Sequence, residues 1–195
     1  MTGIIHPVFF YLTQRAFYQN EYPYFVTTNV SYHRWAFDDI GKAGKLASVV
    51  FRACKLKRFD LISFCILPEY VHLLVKKHEY HTIGECALER AHCGGGNGVL
   101  SVTPQSGLSS PRCGKDGHAP TLSDLMQSIK GTFSRSIGCG RFWQPRFYYQ
   151  IVNTDQRLYN TQKYIKNNYQ KHDLSKKYSK YPYVYLDKDI LRELS

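Results

Sequence analysis

Four residues of this chain carry side chains that could act together on a phosphate group. Tyr164 and Asn168 lie four positions apart, so a helix here would present the phenol and the carboxamide on one face. Tyr70 and His72 lie two positions apart, so a strand here would place a second phenol and an imidazole on one face. A nucleophilic tyrosine beside a set of metal ligands is the chemistry that cuts a DNA strand through a covalent phosphotyrosine.

The same residues also have structural interpretations. A helical tyrosine such as Tyr164 often contributes half-buried packing, and an asparagine such as Asn168 in a last helical turn often caps or ends the helix. A strand histidine such as His72 is often a core residue whose hydrogen bonds are satisfied. Spacing alone leaves both interpretations open.

The elements that would position these residues follow from apolar periodicity and capping residues. The predicted order is strand, helix, strand, strand, helix, strand, helix, which favours an α+β domain with a mostly antiparallel sheet and helices packed on it. In the third strand, alternation places Val71, Leu73 and Val75 on one face and the polar pair, with Leu74, on the other. The strands are expected at residues 24–29, 61–67, 70–77 and within 142–152, and the helices start near Asp38 and Asp39, Thr121 and Thr154.

Length and composition limit the class of protein. A chain of 195 residues suits one domain, and its formal net charge of +11 favours a polyanionic partner such as nucleic acid, although charge alone also serves solubility. Sixteen tyrosines and eleven phenylalanines offer stacking surfaces for unpaired bases. No apolar run of about 18 residues is present, and no signal peptide is indicated. The six cysteines form no disulfide pattern, so we expect reduced thiols in a cytoplasmic protein.

Two segments differ from the rest of the predicted domain. Residues 91–120 are rich in glycine, serine and proline, so we expect a flexible insertion after a short helix over residues 81–90. Residues 171–195 are basic and rich in tyrosine, and we expect a tail in which Pro182 interrupts regular structure. Possible zinc ligands flank the insertion at His92, Cys93, Cys113 and His118. Their separations do not match the short paired spacings of zinc modules, which favours a loop that could touch DNA.

Three ordered motifs resemble those of the HUH-type single-tyrosine transposases, and among them the REP-associated tyrosine transposase-like branch. Family members typically show Met-Pro-Asn-His-Val-His-Leu-Leu, where residues 67–74 are Leu-Pro-Glu-Tyr-Val-His-Leu-Leu. They show Trp-Gln-Arg-x-Phe-Tyr, where residues 143–148 are Trp-Gln-Pro-Arg-Phe-Tyr. They show Tyr-Ile-x-x-Asn-Pro, where residues 164–169 are Tyr-Ile-Lys-Asn-Asn-Tyr. The resemblance runs from about residue 24 to about residue 172, interrupted by the insertion.

The resemblance implies a ferredoxin-like core that uses a divalent ion, Mg²⁺ or Mn²⁺, on single-stranded DNA, often beside a hairpin. By position, Tyr164 would be the nucleophile that forms a 5′-phosphotyrosine and releases a 3′-hydroxyl. His72 and Asn168 would be metal ligands, and the ion would polarise the scissile phosphate. The phosphotyrosine bond conserves energy, so strands could be rejoined without ATP.

Two departures from the family pattern bear on the candidate site. Tyr169 replaces the proline after Asn168, which changes only the end of the helix. Tyr70 replaces the first histidine, and a neutral phenol with a pKa of about 10 is a poor ligand for Mg²⁺ or Mn²⁺. The hypothesis is a weakened metal site in which His72, Asn168 and either Glu69 or water molecules hold the ion. Tyr70 acting as a substitute nucleophile is a further alternative.

The basic residues are candidates for phosphate contacts, with a solvated surface as the alternative. The candidates around the second helix, the tryptophan loop and the last helix are Lys130, Arg135, Arg141, Arg146, Lys166 and Lys171. Lys176, Lys177 and Lys180 could extend this track along the DNA backbone, whereas Trp143 is expected to be a core anchor.

Two functions remain open at this point. The first is an enzyme that cuts and rejoins single-stranded DNA through Tyr164. The second is a protein of the same fold that has lost catalysis through Tyr70 and binds single strands or hairpins. A purely structural protein fits the charge and the motifs poorly. The resemblance implies a cytoplasmic, nucleoid-associated bacterial protein and leaves open whether it is a monomer or a homodimer.

Overall fold

The computed structural model describes residues 21–78 and 119–187, in which five strands and three α-helices occur. The strands are β1 (Tyr24–Asn29), β2 (Phe59–Ile66), β3 (Tyr70–Lys77), β4 (Tyr148–Ile151) and β5 (Val184–Leu186). The helices are α1 (Ile40–Lys57), α2 (Leu122–Ser136) and α3 (Asp155–Lys171).

All five strands belong to one sheet in the order β4-β1-β3-β2-β5, and every neighbouring pair is antiparallel. The first six elements, β1-α1-β2-β3-α2-β4, give the strand order of a ferredoxin-like fold. The predicted α+β class with an antiparallel ferredoxin-like sheet and packed helices is therefore confirmed. β1 and β3 lie at the centre of the sheet, and β3 carries both Tyr70 and His72.

Side chains fix where the helices begin, as the sequence predicted. The Asp39 carboxylate accepts hydrogen bonds from two backbone N–H groups of the first turn of α1. Thr121 and Asp124 form a reciprocal capping box at the start of α2, and Thr154 accepts from the Arg157 N–H at the start of α3. These caps satisfy backbone donors that a helix start leaves without partners. α1 ends at Arg58, whose left-handed φ of 57° turns the chain into β2.

The helices cover the two faces of the sheet unequally. α1 and α2 cover one face over a large apolar cluster, which includes Val71, Leu73 and Val75 of β3. α3 covers the other face over a smaller cluster, which includes Leu74. The alternation predicted for β3 is therefore confirmed. A register shift between Leu61 and Ser63 in β2 lets Leu61 and Phe64, three positions apart, contact the same larger cluster.

The segment after Lys171 corrects the expectation of a tail without regular structure. A 3₁₀ turn at Lys176–Ser179 precedes β5, which pairs with the outer edge of β2 despite Pro182. Tyr178 and Tyr183 are buried in the larger cluster. The tyrosines expected on a tail therefore provide part of the core, because the chain returns across the sheet edge and packs there.

Several predictions fall outside the described residues: the helix over residues 81–90, nearly all of the insertion and the four possible zinc ligands. The described cysteines, Cys54, Cys65 and Cys139, carry free thiols. Of the helices described, none has the length and apolar character needed to cross a membrane.

Candidate active site

The four residues singled out in the sequence meet on the sheet face that α3 covers. Tyr164 and Asn168 project from α3 toward the sheet, and the Tyr164 hydroxyl lies 3.5 Å from His72 Nε2 on β3. Asn168 Oδ1 lies 3.3 Å from the Tyr70 hydroxyl. The structure therefore brings two phenols, an imidazole and a carboxamide into one cluster. The spacings predicted that each pair shares a face, and the family resemblance implied that the two pairs meet.

His72 is held as a neutral, buried imidazole. Its side chain is 6% exposed, and its Nδ1 lies 2.8 Å from the Thr27 hydroxyl on the neighbouring strand β1. Burial lowers the pKa of His72 to about 3, and the charges of His172 and Lys171 act in the same direction. When Nδ1 donates its proton to the Thr27 oxygen, Nε2 has a free lone pair directed toward Tyr164. His72 is thus a satisfied core residue and an available ligand at the same time.

Tyr164 is half-buried between apolar and charged neighbours. Its ring packs edge-on against Phe25, with 6.0 Å between the ring centroids, and Lys171 Nζ lies 5.3 Å from the Tyr164 centroid. Burial raises the pKa of the Tyr164 hydroxyl, while a hydrogen bond with Asn168 acts in the opposite direction. The phenol is therefore protonated at neutral pH, and a nearby positive charge would favour its ionised form.

Asn168 does not end its helix, so the capping interpretation is wrong. α3 continues to Lys171, and the Asn168 side chain is 1% exposed. Its Nδ2 donates to the Cys65 sulfur at 3.8 Å, while its Oδ1 accepts from the Tyr70 hydroxyl. A buried carboxamide with both ends bonded keeps a fixed orientation, which leaves Oδ1 directed at the site.

Sequence reasoning missed His172, which also reaches this cluster. His172 Nε2 lies 2.6 Å from the Tyr70 hydroxyl. Burial, followed by the charge of Lys171, lowers the pKa of His172. A signal was available in the sequence, because residues 164, 168 and 172 repeat at the spacing that places side chains on one helix face.

Tyr70 is unsuited to act as a phenolate. Burial raises the pKa of its hydroxyl well above the ordinary value, and the nearby Tyr164, Cys65 and Glu69 add to the rise. A neutral phenol binds Mg²⁺ or Mn²⁺ weakly, and an unionised one is a poor nucleophile. These properties argue against Tyr70 as a ligand or a substitute nucleophile.

The donors that fit a divalent ion are therefore nitrogen and amide oxygen atoms. His72 Nε2 and Asn168 Oδ1 are bonded at their far ends and directed into the cluster, which suits a ligand role. Glu69 is turned away, because its two oxygens contact Trp35 Nε1 at 2.7 Å and His33 Nδ1 at 3.3 Å. No group of three or more His, Cys, Asp or Glu side chains within residues 21–78 and 119–187 could hold an ion, so a site here depends on the Asn168 oxygen.

The predicted basic residues divide between the two faces. Lys171 lies beside Tyr164, and Lys166 is exposed on α3. Arg135 lines an open cleft of about 540 Å³ on the α2 side, while Arg141 and Arg146 are exposed in the loop between α2 and β4. Lys130 directs its ammonium group at the carbonyl oxygens of residues 144, 145 and 146, at 2.5, 3.2 and 3.3 Å. An ammonium group has three donors, so Lys130 organises this loop instead of presenting a free charge.

Trp143 agrees with the core-anchor interpretation. It is 7% exposed, and its ring lies 5.7 Å from that of Phe37 and 5.6 Å from that of Phe133, measured between centroids. Its neighbour Gln144 follows into the loop that Lys130 holds. The motif that contains Trp143 therefore contributes to packing on the face opposite Tyr164.

Comparison with known proteins gives a structural likeness. No protein-family model and no curated protein matches the sequence. A provisionally assigned transposase of Deinococcus radiodurans R1 matches with a TM-score of 0.41 and 16% identity, covering 80% of this chain and 97% of that one. A REP-associated tyrosine transposase bound to a REP hairpin matches with a TM-score of 0.62 and 19% identity, covering 93% of this chain and 87% of that one. This chain therefore has the fold of a REP-associated tyrosine transposase.

Proposed function

We propose that this chain is a transposase-like DNA strand transferase of the REP-associated tyrosine transposase-like branch, with Tyr164 as the nucleophile. The observation that carries the proposal is the convergence of three groups in the cluster between α3 and β3: the Tyr164 hydroxyl, His72 Nε2 and the buried Asn168 carboxamide. A hydroxyl nucleophile beside donor atoms that suit a divalent ion is the arrangement that phosphoryl transfer requires.

In the proposed step, Tyr164 Oη forms a bond to phosphorus as the bond from phosphorus to the 3′ oxygen breaks. The phenolic proton passes to water, and the departing 3′ oxygen takes up a proton from water, so protons are conserved. The product is a 5′-phosphotyrosine and a free 3′-hydroxyl, and the reverse reaction rejoins the strands. Lys171, 5.3 Å from the Tyr164 ring, would favour the ionised phenol as it attacks.

His72 and Asn168 would hold the divalent ion, Mg²⁺ or Mn²⁺. When bound, the ion would supply positive charge to the oxygens of the scissile phosphate. When the Thr27 hydroxyl accepts from Nδ1 of His72, the Nε2 lone pair is directed into the cluster, and the bond from Asn168 Nδ2 to Cys65 does the same for the Asn168 oxygen. The residues present therefore contribute orientation as well as donor atoms.

The proposed substrate is single-stranded DNA beside a hairpin. The REP-associated tyrosine transposase whose fold this chain shares is bound to a REP hairpin in its solved structure. The net charge of +11 and the exposed Arg135, Arg141, Arg146 and Lys166 support a polyanion of this kind.

A covalent-adduct assay tests the proposal. Labelled single-stranded oligonucleotides from the DNA that flanks the gene are incubated with Mn²⁺ or Mg²⁺ and separated on a denaturing gel. We expect an adduct with the native chain and with Tyr159→Phe, which alters an exposed tyrosine of the same helix, and no adduct with Tyr164→Phe. An adduct that survives in Tyr164→Phe would refute the assignment of the nucleophile.

A second candidate function is a DNA-binding protein that does not cut. Tyr70 favours it, because this neutral phenol stands at the position of a family ligand and hydrogen bonds to Asn168 Oδ1. Under this alternative, the native chain retains hairpin-bearing oligonucleotides on a native gel but forms no adduct. An adduct that forms only in Tyr70→His would identify Tyr70 as the cause.

A further inference from the structure

The Tyr70 hydroxyl lies within hydrogen-bond distance of two side chains, His172 and Asn168. Its oxygen lies 2.6 Å from His172 Nε2 and 3.3 Å from Asn168 Oδ1. In the tautomer that carries its proton on Nδ1, His172 Nε2 accepts, as the amide oxygen does, and one hydroxyl proton cannot satisfy both at full strength. Two lone pairs that converge on one point are better satisfied by a cation than by one hydrogen atom.

His172 occupies a position that the fold fixes. It is the first residue after α3, and the next residue, Asp173, has a left-handed φ of 52°. The Asp173 and Leu174 N–H groups donate to the carbonyls of Gln170 and Tyr169 at 3.1 and 2.9 Å. The turn locks the backbone on both sides of His172, so its imidazole is held on the helix face that carries Asn168.

The cluster also offers an entry path for an ion. His72 is buried on the sheet and His172 is exposed at the end of α3. The Tyr70 ring lies between them, with centroid distances of 4.9 Å to His72 and 5.6 Å to His172. A change in the χ1 torsion of Tyr70 would withdraw its hydroxyl from His172 and Asn168.

The other described histidines are committed elsewhere. His33 contacts the Glu69 carboxylate at 3.3 Å, and His78 contacts that of Asp60 at 3.2 Å. Among residues 21–78 and 119–187, His172 is thus the remaining imidazole that can join His72.

We propose that His172 supplies the second imidazole of the divalent-ion site, together with His72 and Asn168, and that the ion displaces the Tyr70 hydroxyl from its contacts with His172 and Asn168. The inference rests on the metal-dependent chemistry of the proposed function. It assigns the ligand that position 70 lacks to a residue about 100 positions further along the chain. Two imidazoles and one amide oxygen favour Mn²⁺ or Co²⁺ over Mg²⁺, which prefers oxygen ligands alone.

Mn²⁺ binding to the full chain without DNA tests this proposal. Free Mn²⁺ is titrated by electron paramagnetic resonance for the native protein, His172→Gln and the matched control His78→Gln. We expect His172→Gln to weaken Mn²⁺ binding by about tenfold or more, and His78→Gln to bind as the native chain does. Equal affinity in the two variants would overturn the proposal.

A second reading of the same samples counts ligands directly. Electron spin echo modulation from ¹⁴N should show two coordinated imidazoles in the native chain and one in His172→Gln. If the role of His172 is merely structural, the native chain and His172→Gln would show the same number of coordinated imidazoles. A single imidazole in the native chain would therefore overturn the proposal. Tyr70→Phe removes the competing hydroxyl and should strengthen Mn²⁺ binding, and a weakened affinity in this variant would instead make Tyr70 a ligand.

The failures of the two proposals are distinguishable. A Tyr164-dependent adduct with only one imidazole on Mn²⁺ refutes the role of His172 and leaves the strand transferase in place. Two imidazoles without an adduct on any oligonucleotide support the ion site and refute the enzyme.

Discussion

The two faces of the sheet are built from different materials. The face under α1 and α2 packs aromatic rings against one another, with centroid distances between 4.9 and 5.7 Å among Phe37, Phe133, Phe142 and Trp143. The face under α3 has a buried apolar cluster of six residues, beside which lie the buried polar side chains His72 and Asn168. The face under α1 and α2 provides most of the core. The face under α3 has fewer apolar contacts because buried polar side chains occupy part of it.

Hydrogen bonds offset the cost of burying these polar side chains. An unpaired polar group costs about 1–3 kcal/mol when it is buried. His72 is paired with Thr27, and Asn168 is paired with Tyr70 and Cys65. Stability should therefore depend mainly on the face under α1 and α2, and the proposed strand transfer on the face under α3.

The largest effect on stability is expected from the aromatic face. Phe133→Ala removes a fully buried ring that contacts Phe37, Phe142 and Trp143, and should lower the free energy of unfolding by about 3–5 kcal/mol. Urea unfolding followed by circular dichroism measures the loss. A loss below about 1 kcal/mol would contradict the view that this face carries most of the core.

A matched pair of isoleucines separates stability from function. Ile129 on α2 and Ile165 on α3 are both essentially buried, at 1% and 0% exposure. Each change to alanine should cost about 2–5 kcal/mol. Only Ile165→Ala should also slow formation of the Tyr164 adduct per folded molecule, because it loosens the helix turn that positions the phenol. Equal slowing in both variants would break the comparison between the faces.

Acid should weaken the protein through the α3 face. In the folded protein, burial lowers the pKa of His72 from 6.5 to about 3. Between these pH values the unfolded chain binds a proton that the folded chain excludes, so the free energy of unfolding falls as the pH decreases through this window. The lowered pKa of His172 acts with the same sign.

Urea midpoints measured in EDTA from pH 7 to pH 4 test this prediction. The native chain should lose stability steadily, and His72→Gln should show a flatter dependence from a lower starting value. Parallel curves for the two proteins would mean that His72 is protonated in the folded state without penalty.

The smallest effects are expected at the helix caps. Thr121→Ala at α2 removes the hydroxyl that accepts from the Asp124 N–H and donates to Asp124 Oδ2, whereas Thr154→Ala at α3 removes a single bond, from the Arg157 N–H. Each should cost about 1 kcal/mol, or about 2–4 °C in Tm for a chain of this size, with the larger loss at Thr121. Differential scanning calorimetry measures the two Tm values. A larger loss for Thr154→Ala than for Thr121→Ala would show that α3 depends on its cap more than its packing suggests.

Much of the fold was predictable because its signals are local. The alternation in β3, the caps at Thr121 and Thr154, and the spacing of Tyr164 and Asn168 each depend on a few neighbouring residues. β5 was missed because it has three residues and follows a proline, so its existence depends on pairing with β2. No local pattern reports that kind of partner.

Part of the candidate site was also predictable from local spacing, and part was not. The sequence indicated which side chains face one another across β3 and α3, but not that Lys130 is bound by three carbonyl oxygens of a loop about 15 positions away. His172 was missed although it continues the spacing of residues 164 and 168, because it follows the last residue of the helix, where that spacing no longer guarantees a common face. The turn at Asp173 and Leu174 restores that face through backbone bonds that residue types do not reveal.

The return of the chain along β2 has a consequence for synthesis. Val184 and Leu186 of β5 pack against the small cluster beneath α3, and they leave the ribosome after every other part of that cluster. The strands and helices that build most of the α1 and α2 face leave the ribosome before β5, because synthesis proceeds from the amino terminus. A nascent chain would therefore have most of its core residues available before α3, which carries the proposed nucleophile, is fully packed. The proposed strand cutting would then be among the last properties that the folding chain acquires.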